Sequence, residues 1–139
     1  MTRVLIADDS ELVRSGLHEL IEDHAGWFCT EAINGRDAIA QIQLLAPDIL
    51  ILDLFMPVMD GLQAARAISK LVPNLAILLC TTDLPPVLVS LAQRCGIQGT
   101  VSKYNCPQII KGIEALLRRE TFFCGNCIFS CGAAHAVRA

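Results

Sequence analysis

Acidic side chains directly follow two short apolar runs of this chain, and a lysine follows a third. They are the pair Asp8 and Asp9, then Asp53, and finally Lys103. If the three runs are parallel β-strands, their carboxyl ends lie along one edge of a sheet, which is where ligands bind in such folds. Residues that are far apart in the chain would then share one pocket.

Three carboxylates in one pocket repel one another and therefore require a cation. At about 4 Å and an effective dielectric constant of about 20, each pair of unit charges costs about 4 kcal/mol. An all-oxygen ligand set with few protein ligands and space for water favours Mg²⁺ over a transition metal. The sequence therefore predicts a Mg²⁺ site that includes Asp8, Asp9 and Asp53.

The elements that must position these residues follow from the hydrophobic pattern and the capping residues. The predicted strands cover residues 4–7, 27–32, 48–53, 75–80 and 97–102. The predicted helices run from Ser10 to about His24, between the Asn34–Gly35 turn and Pro47, over residues 61–71, from Pro85 to about Cys95, and from Pro107 onward. This alternation predicts an α/β fold with a doubly wound, five-stranded parallel sheet in the flavodoxin-like order 2-1-3-4-5, with helices on both faces.

Composition agrees with this fold class and excludes several functions. The chain has 139 residues, of which 53% are hydrophobic and 18% are charged, as expected when a sheet is buried on both faces. No apolar run reaches the roughly 18 residues of a membrane span, and the amino terminus lacks the pattern of a signal peptide, so we expect a cytoplasmic protein with no membrane contact. The net charge of −3 gives no electrostatic reason to bind nucleic acid.

The seven cysteines do not indicate a disulfide framework, because their number is odd and no secretion signal precedes them. Four of them are scattered in or beside apolar segments, and we expect these to be buried free thiols that act as small hydrophobic residues: Cys29, Cys80, Cys95 and Cys106.

Several motifs in a fixed order resemble the receiver domain of two-component response regulators, the CheY-like family. They are the pair Asp8–Asp9, the segment Asp-Leu-Phe-Met-Pro-Val-Met-Asp-Gly that begins at Asp53, then Thr81, then Lys103. An acidic pair or a lysine alone would be weak evidence, but the complete set is specific. The resemblance covers residues 3 to about 119.

The resemblance implies that Asp53 accepts a phosphoryl group from a sensor histidine kinase. A carboxylate is a competent nucleophile towards phosphohistidine, and the acyl phosphate that forms is labile enough to serve as a timed signal. The resemblance further implies that Mg²⁺ is bound by Asp9, Asp53 and the backbone carbonyl of Phe55, with Asp8 acting through a coordinated water.

Two other side chains receive roles from the same resemblance. Lys103 would pair with a phosphoryl oxygen, which suits a compact point charge. Thr81 would donate its hydroxyl to another oxygen and shift the loop after the fourth strand, although Thr82 takes this role if the register moves by one residue. The domain would thus be a switch and not a turnover enzyme, since it catalyses only its own phosphotransfer and dephosphorylation.

The chain also departs from the family pattern. Thr100 stands where an aromatic switch residue is common, and Tyr104, on the other side of the lysine, is not placed to replace it. Phe55 is bulky and apolar two residues after the phosphoacceptor, and we expect it to shield the acyl phosphate from water.

The amino-acid composition changes at residue 120. We therefore divide the chain into a receiver domain over residues 1–119 and a linker or Cys-rich extension over residues 120–139. Cys124, Cys127, Cys131 and His135 are potential zinc or iron–sulfur ligands, but their spacing fits no common zinc finger. A linker, or an extension that packs its apolar side chains on a neighbouring surface, is the favoured interpretation.

Residues 116–123 resemble the junction between the receiver and the linker in transcription regulators of the LuxR type. DNA binding would then belong to an output domain absent from this chain, and homodimers would form through the fourth helix, fifth strand and fifth helix, or through the first and fifth helices. The alternatives are a stand-alone or degenerate receiver that acts as a protein-interaction module, a metal or redox sensor built on the tail, and a haloacid-dehalogenase-type phosphatase. The phosphatase would require an aspartate where Phe55 stands.

Overall fold

The computed structural model describes residues 1–24 and 26–123, and strands and helices alternate along them. The strands are β1 (Thr2–Ala7), β2 (Trp27–Ala32), β3 (Ile49–Leu52), β4 (Ala76–Thr81), β5 (Gly99–Ser102) and β6 (Phe122–Phe123). The helices are α1 (Glu11–Glu22), α2 (Gly35–Leu45), α3 (Gly61–Leu71), α4 (Pro86–Arg94) and α5 (Cys106–Leu117).

All neighbouring strands pair in parallel, in the order β2-β1-β3-β4-β5-β6. The predicted fold class and the predicted order of the first five strands are confirmed. Every residue of β3 and β4 is buried, because helices cover both faces of the sheet. One apolar layer packs against α2, α3 and α4, and the other packs against α1 and α5.

Side-chain caps fix the starts of the helices that follow the carboxyl edge of the sheet. Ser10 accepts a hydrogen bond from the Val13 amide at the start of α1. Asp60 and Gln63 form a reciprocal capping box at the start of α3. Each cap ends the loop after its strand at a defined residue, so Asp8 and Asp9 lie in a loop over residues 8–10 and Asp53 begins a loop over residues 53–60.

Several predicted boundaries need correction. The first helix ends at Glu22, not near His24, and the fifth strand begins at Gly99, two residues later than predicted. The fifth helix begins at Cys106 because Asn105 accepts a hydrogen bond from the Gln108 amide as its N-cap.

Three of the four cysteines predicted to be buried are confirmed as buried free thiols, namely Cys29, Cys80 and Cys95. Burial raises the pKa of Cys29 and of Cys80 to about 12, so neither is a thiolate at neutral pH. The prediction for Cys106 was wrong: this residue is exposed because it lies in the first turn of α5, at the edge of the sheet.

Strand β6 was not predicted from the sequence. Phe122 lies beside Gly99 of β5, and its amide donates to the Gln98 carbonyl oxygen at 3.0 Å. The Phe122 side chain is buried, and a Cβ atom added at Gly112 of α5 would lie 3.1 Å from its ring. The glycines at positions 99 and 112 thus leave the space that this phenylalanine fills.

The boundary at residue 119 remains a prediction, although residues 122–123 continue the sheet. The proposed ligands Cys124, Cys127, Cys131 and His135 lie outside the described residues. Within residues 1–24 and 26–123, no helix has both the length and the apolar character needed to cross a bilayer.

Phe122→Ala should lower the free energy of unfolding by about 3–5 kcal/mol, the usual cost of removing a buried phenylalanine. Urea unfolding, monitored by circular dichroism, measures this decrease in the free energy of unfolding. Phe123→Ala is the matched control, since that side chain is only half-buried and should cost clearly less. Equal losses for the two variants would show that Phe122 does not fill a core position.

Candidate functional site

The predicted convergence of strand ends is present in the structure. β1 and β3 are neighbours, with Ala7 opposite Leu52, so the next residues, Asp8 and Asp53, lie side by side. The Asp53 amide donates to the Ala7 carbonyl oxygen at 2.9 Å and ties the two strand ends together. Lys103 follows β5 at the same edge of the sheet.

The three acidic side chains form one cluster. Each of Asp8, Asp9 and Asp53 contributes a carboxylate oxygen that lies within 4.8 Å of the other two. Asp8 and Asp53 are buried, whereas Asp9 is exposed. A cation bound here would have protein ligands on its inner side and water on its outer side, and this donor set fits the oxygen preference and partial hydration of Mg²⁺.

Lys103 bridges the two buried carboxylates. Its Nζ atom lies 2.8 Å from Asp8 Oδ2 and 3.0 Å from Asp53 Oδ1. Burial disfavours the charged ammonium, but the hydrogen bonds to Asp8 and Asp53 raise the pKa of Lys103 above its ordinary value. Lys103 is therefore a fixed positive charge beside the candidate nucleophile.

The pKa of Asp53 is set by opposing effects. Burial raises its pKa above the usual range, the hydrogen bond from Lys103 opposes that shift, and the nearby charge of Asp8 adds to it. A bound divalent cation would favour the ionised form, because it supplies the charge that Lys103 alone does not.

The raised pKa of Asp53 predicts a pH dependence of stability in the absence of divalent cations. The native state binds this proton more tightly than the unfolded chain does, so the associated stability is present below the ordinary carboxyl pKa of about 4. It is lost as the pH rises through the raised native pKa. The free energy of unfolding of wild type, relative to Asp53→Asn, should therefore fall with rising pH in urea titrations containing EDTA. A difference that is constant with pH would contradict this.

Asp8 has both carboxylate oxygens engaged. Oδ2 contacts Lys103, and Oδ1 accepts a hydrogen bond from the Ser10 amide at 2.9 Å. Sequence reasoning identified Ser10 only as a helix cap, because the contact made by its backbone amide carries no side-chain signal. Arg14, whose Nη1 donates to the Asp8 carbonyl oxygen, was not identified at all.

The threonines occupy distinct positions. Thr81 is the last residue of β4 and is buried, and its carbonyl oxygen accepts a hydrogen bond from the Lys103 amide at 2.9 Å. Thr82 is exposed in the following loop. Thr100, at the position where the family commonly has an aromatic switch residue, is fully buried in β5.

The loop after Asp53 buries Leu54 and Met56 in the core but exposes two other apolar side chains. Phe55 is 71% exposed and Val58 is 69% exposed. The loop returns closely to its strand, since the Gly61 amide donates to the Leu54 carbonyl oxygen and a Cβ atom at Gly61 would overlap the Asp53 carbonyl oxygen. The glycine of the Asp-Gly motif is thus required by this close approach.

A groove of about 350 Å³ opens beside the acidic cluster, between α1 and the start of α5. Its walls include Val13, Leu17, Leu20, Lys103, Tyr104 and Cys106. Tyr104 is 81% exposed at its rim, so an apolar surface borders the charged pocket.

Comparison with known proteins agrees with this geometry. Residues 4–115 match the response regulator receiver domain family. The chain is 34% identical over 114 residues to the chemotaxis protein CheY of Thermotoga maritima, which covers 82% of this chain and 93% of that protein. It is 30% identical over 128 residues to the response regulator UvrY of Escherichia coli K12, which covers 91% of this chain and 59% of UvrY.

The crystal structure of a two-component response regulator of the LuxR family from Aurantimonas sp. SI85-9A1 superimposes with a TM-score of 0.85, at 28% identity and with 91% of each chain covered. The sheet order, the acidic cluster at its carboxyl edge and the family match lead to one conclusion. This chain belongs to the response regulator receiver domain family and is a receiver domain of two-component signal transduction.

Proposed function

We propose that Asp53 is the phosphoacceptor of this receiver and that Mg²⁺ bound by Asp8, Asp9 and Asp53 is required for the transfer. One observation carries the proposal: the three carboxylates converge within 4.8 Å while Lys103 bridges Asp8 and Asp53. Phosphoryl transfer requires mainly that groups be positioned and charge be neutralised, and this cluster provides both.

In the proposed reaction, a carboxylate oxygen of Asp53 attacks the phosphorus of a phosphohistidine on a sensor kinase. The O–P bond forms as the P–N bond breaks, and the imidazole leaves with the electron pair of that bond. When bound, Mg²⁺ neutralises charge on the phosphoryl oxygens. Lys103 is already 3.0 Å from Asp53 Oδ1 and would transfer its contact to a phosphoryl oxygen.

The proposed role of each aspartate as a ligand depends on whether its carboxylate oxygens already have hydrogen-bond or ion-pair partners. Asp9 is exposed, so it is suited to bind the ion directly together with Asp53 and the backbone carbonyl of Phe55. Asp8 uses both oxygens for Ser10 and Lys103, which supports an indirect role through a coordinated water. Asp9 and Asp53 would then hold the cation, and water would complete its coordination.

The conformational response to phosphorylation would begin at the end of β4. Thr81 would donate its hydroxyl to the phosphoryl group, and Thr82 is the alternative donor in the next position. Because Thr100 is buried and has no aromatic ring to rotate, we propose that the response is transmitted through the loop between β4 and α4.

Incubation with acetyl phosphate and Mg²⁺, read by intact mass spectrometry, tests the proposed function. Wild type should gain one phosphoryl group with Mg²⁺ and none with EDTA. A chain that stays unmodified, while the CheY protein of Thermotoga maritima is modified in a parallel reaction, would support the alternative of a degenerate receiver that acts only as an interaction module.

The output is proposed from the relatives. The LuxR-family structure and UvrY favour a role in transcription regulation, with DNA bound by a domain outside this chain. The alternative is a stand-alone or degenerate receiver that acts as a protein-interaction module; CheY, which the match covers over 93% of its length, is a relative of receiver size. In either case the partner is a sensor histidine kinase, which would dock over the groove beside Lys103.

Homodimers are proposed through α4, β5 and α5 or through α1 and α5. β6 pairs with the outer edge of β5, so the first of these surfaces includes β6. Sedimentation velocity with and without beryllofluoride, in wild type and in variants of each surface, distinguishes the two.

Phe55→Asn should shorten the lifetime of the phosphorylated state several-fold. The apolar ring, two residues after Asp53, would exclude water from one side of the acyl phosphate, whereas an amide could hydrogen-bond an attacking water. Loss of the phosphoryl group over time, followed by intact mass after removal of the donor, measures the effect. A variant that loses phosphate no faster than wild type counts against shielding. Val58→Asn, at a second exposed apolar position of the loop, is the control.

A further inference from the structure

Arg14 on α1 is a largely buried arginine that contacts the backbone of the acidic cluster. Its side chain is 12% exposed, and Nη1 donates to the Asp8 carbonyl oxygen at 2.8 Å. Its Nε atom donates to Glu31 Oε1 at 2.9 Å. The guanidinium therefore joins the turn after β1 to an acidic side chain of β2.

The Glu31 carboxylate is itself fixed. His18 Nδ1 lies 2.8 Å from Glu31 Oε2, so each oxygen of Glu31 has a partner on α1. Burial disfavours its ionised form, but the hydrogen bonds with Arg14 and His18 lower the pKa of Glu31 below its ordinary value. Arg14 is thus anchored to a side chain that stays ionised and cannot rotate without losing two contacts.

The contact matters because Asp9 has no other anchor among the described residues. The Asp9 carboxylate is exposed and makes no hydrogen bond or ion pair within residues 1–24 and 26–123. Before a cation binds, repulsion from Asp8 and Asp53 favours movement of Asp9 away from the cluster. The peptide unit that joins Asp8 to Asp9 is the one whose carbonyl Arg14 holds.

We propose that Arg14 is a positioning residue for the cation site, which holds the Asp8–Asp9 peptide so that the Asp9 carboxylate stays within coordinating distance. The inference rests on the proposed Mg²⁺ site and adds to it a residue on α1. Arg14 acts only through the backbone of Asp8 and has no role as a ligand, because its charge has the same sign as that of the cation.

The direction in which the Mg²⁺ affinity changes when Arg14 is replaced distinguishes a positioning role of Arg14 from a purely electrostatic effect of its charge. Removing a positive charge near three carboxylates makes the pocket more negative, and electrostatics alone would tighten Mg²⁺ binding. Loss of an outer contact that orients a ligand weakens it, typically by about 10-fold or more. Arg14→Met should therefore raise the Mg²⁺ dissociation constant, measured by isothermal titration calorimetry on the full chain, by about 10-fold.

Three further variants sharpen the test. Arg14→Lys should recover part of the affinity, because an ammonium can contact the Asp8 carbonyl or Glu31 but lacks the planar fork that reaches both. Glu31→Gln removes the ionised anchor and should weaken Mg²⁺ binding less than Arg14→Met. Arg36→Met is the matched control, since Arg36 is exposed and makes no ion pair among the described residues, and its Mg²⁺ affinity should not fall.

Circular dichroism and urea unfolding check that each variant is folded. A folded Arg14→Met protein that binds Mg²⁺ as tightly as wild type, or more tightly, overturns the inference. Should that variant not fold, unchanged affinity in both Arg14→Lys and Glu31→Gln overturns it equally. Absence of Mg²⁺ binding in wild type would instead reject the proposed function.

Discussion

Asp53→Asn is expected to abolish phosphorylation by acetyl phosphate and Mg²⁺ under conditions in which wild type gains one phosphoryl group. The amide has no lone pair of comparable nucleophilicity, and its oxygen cannot form the mixed anhydride with phosphate. The substitution nevertheless preserves shape, and an amide oxygen can still accept the hydrogen bond from Lys103. Intact mass spectrometry of the two proteins measures the difference.

Asp23→Asn is the matched control because Asp23 is an exposed carboxyl at the end of α1. This variant should be phosphorylated like wild type. Modification of the Asp53→Asn protein at the wild-type level would place the acceptor elsewhere, and peptide mapping would then identify Asp8, Asp9 or another residue.

Lys103→Met should destabilise the protein by about 3 kcal/mol when divalent cations are absent, because it leaves two buried carboxylates without their shared cation. Asp8 is 2% exposed and Asp53 is 5% exposed, so water replaces the contacts of the ammonium only in part. Mg²⁺ supplies positive charge at the same cluster and should restore part of the loss. Urea unfolding in EDTA and in excess Mg²⁺ measures both effects.

Lys70→Met serves as the control, since Lys70 is an exposed lysine in the last turn of α3 and its removal should change stability little. The Lys103 variant should also be phosphorylated more slowly than wild type. A Lys103→Met protein with the wild-type free energy of unfolding in EDTA would show that the bridge does not stabilise the acidic edge of the sheet.

The sheet and the candidate cluster were predictable because local pattern and global fold agree. The runs at residues 49–52 and 76–80 are apolar throughout, as strands buried on both faces require, and helical spacing follows each strand. Once the alternation is assigned, geometry places Asp8, Asp53 and Lys103 at one edge, whatever their separation in the chain.

Strand β6 depends on tertiary structure and so was missed. Phe122 and Phe123 form too short a run to indicate a strand, and their position is determined by the space beside Gly99 and Gly112. Strand propensity describes how well a side chain fits its surroundings, and these surroundings become visible only in the folded chain.

The role of Arg14 could not be predicted from the local sequence pattern either. An arginine on an amphipathic helix normally lies on the solvated face. Arg14 instead contacts Glu31, 17 positions later in the sequence, and the Asp8 carbonyl oxygen. The error at Cys106 has the opposite origin. An apolar-looking neighbourhood predicted burial, whereas the start of α5 lies at the open edge of the sheet.

A crystal structure of the protein with Mg²⁺ and beryllofluoride, a mimic of the phosphoryl group, tests the central claim most directly. We predict that beryllofluoride is bonded to a carboxylate oxygen of Asp53 and contacts Lys103 Nζ, with Mg²⁺ coordinated by Asp9 and Asp53. The contrary result is a structure in which beryllofluoride and Mg²⁺ are present at saturating concentration, the three aspartates bind neither, and Lys103 keeps its bridge to Asp8 and Asp53.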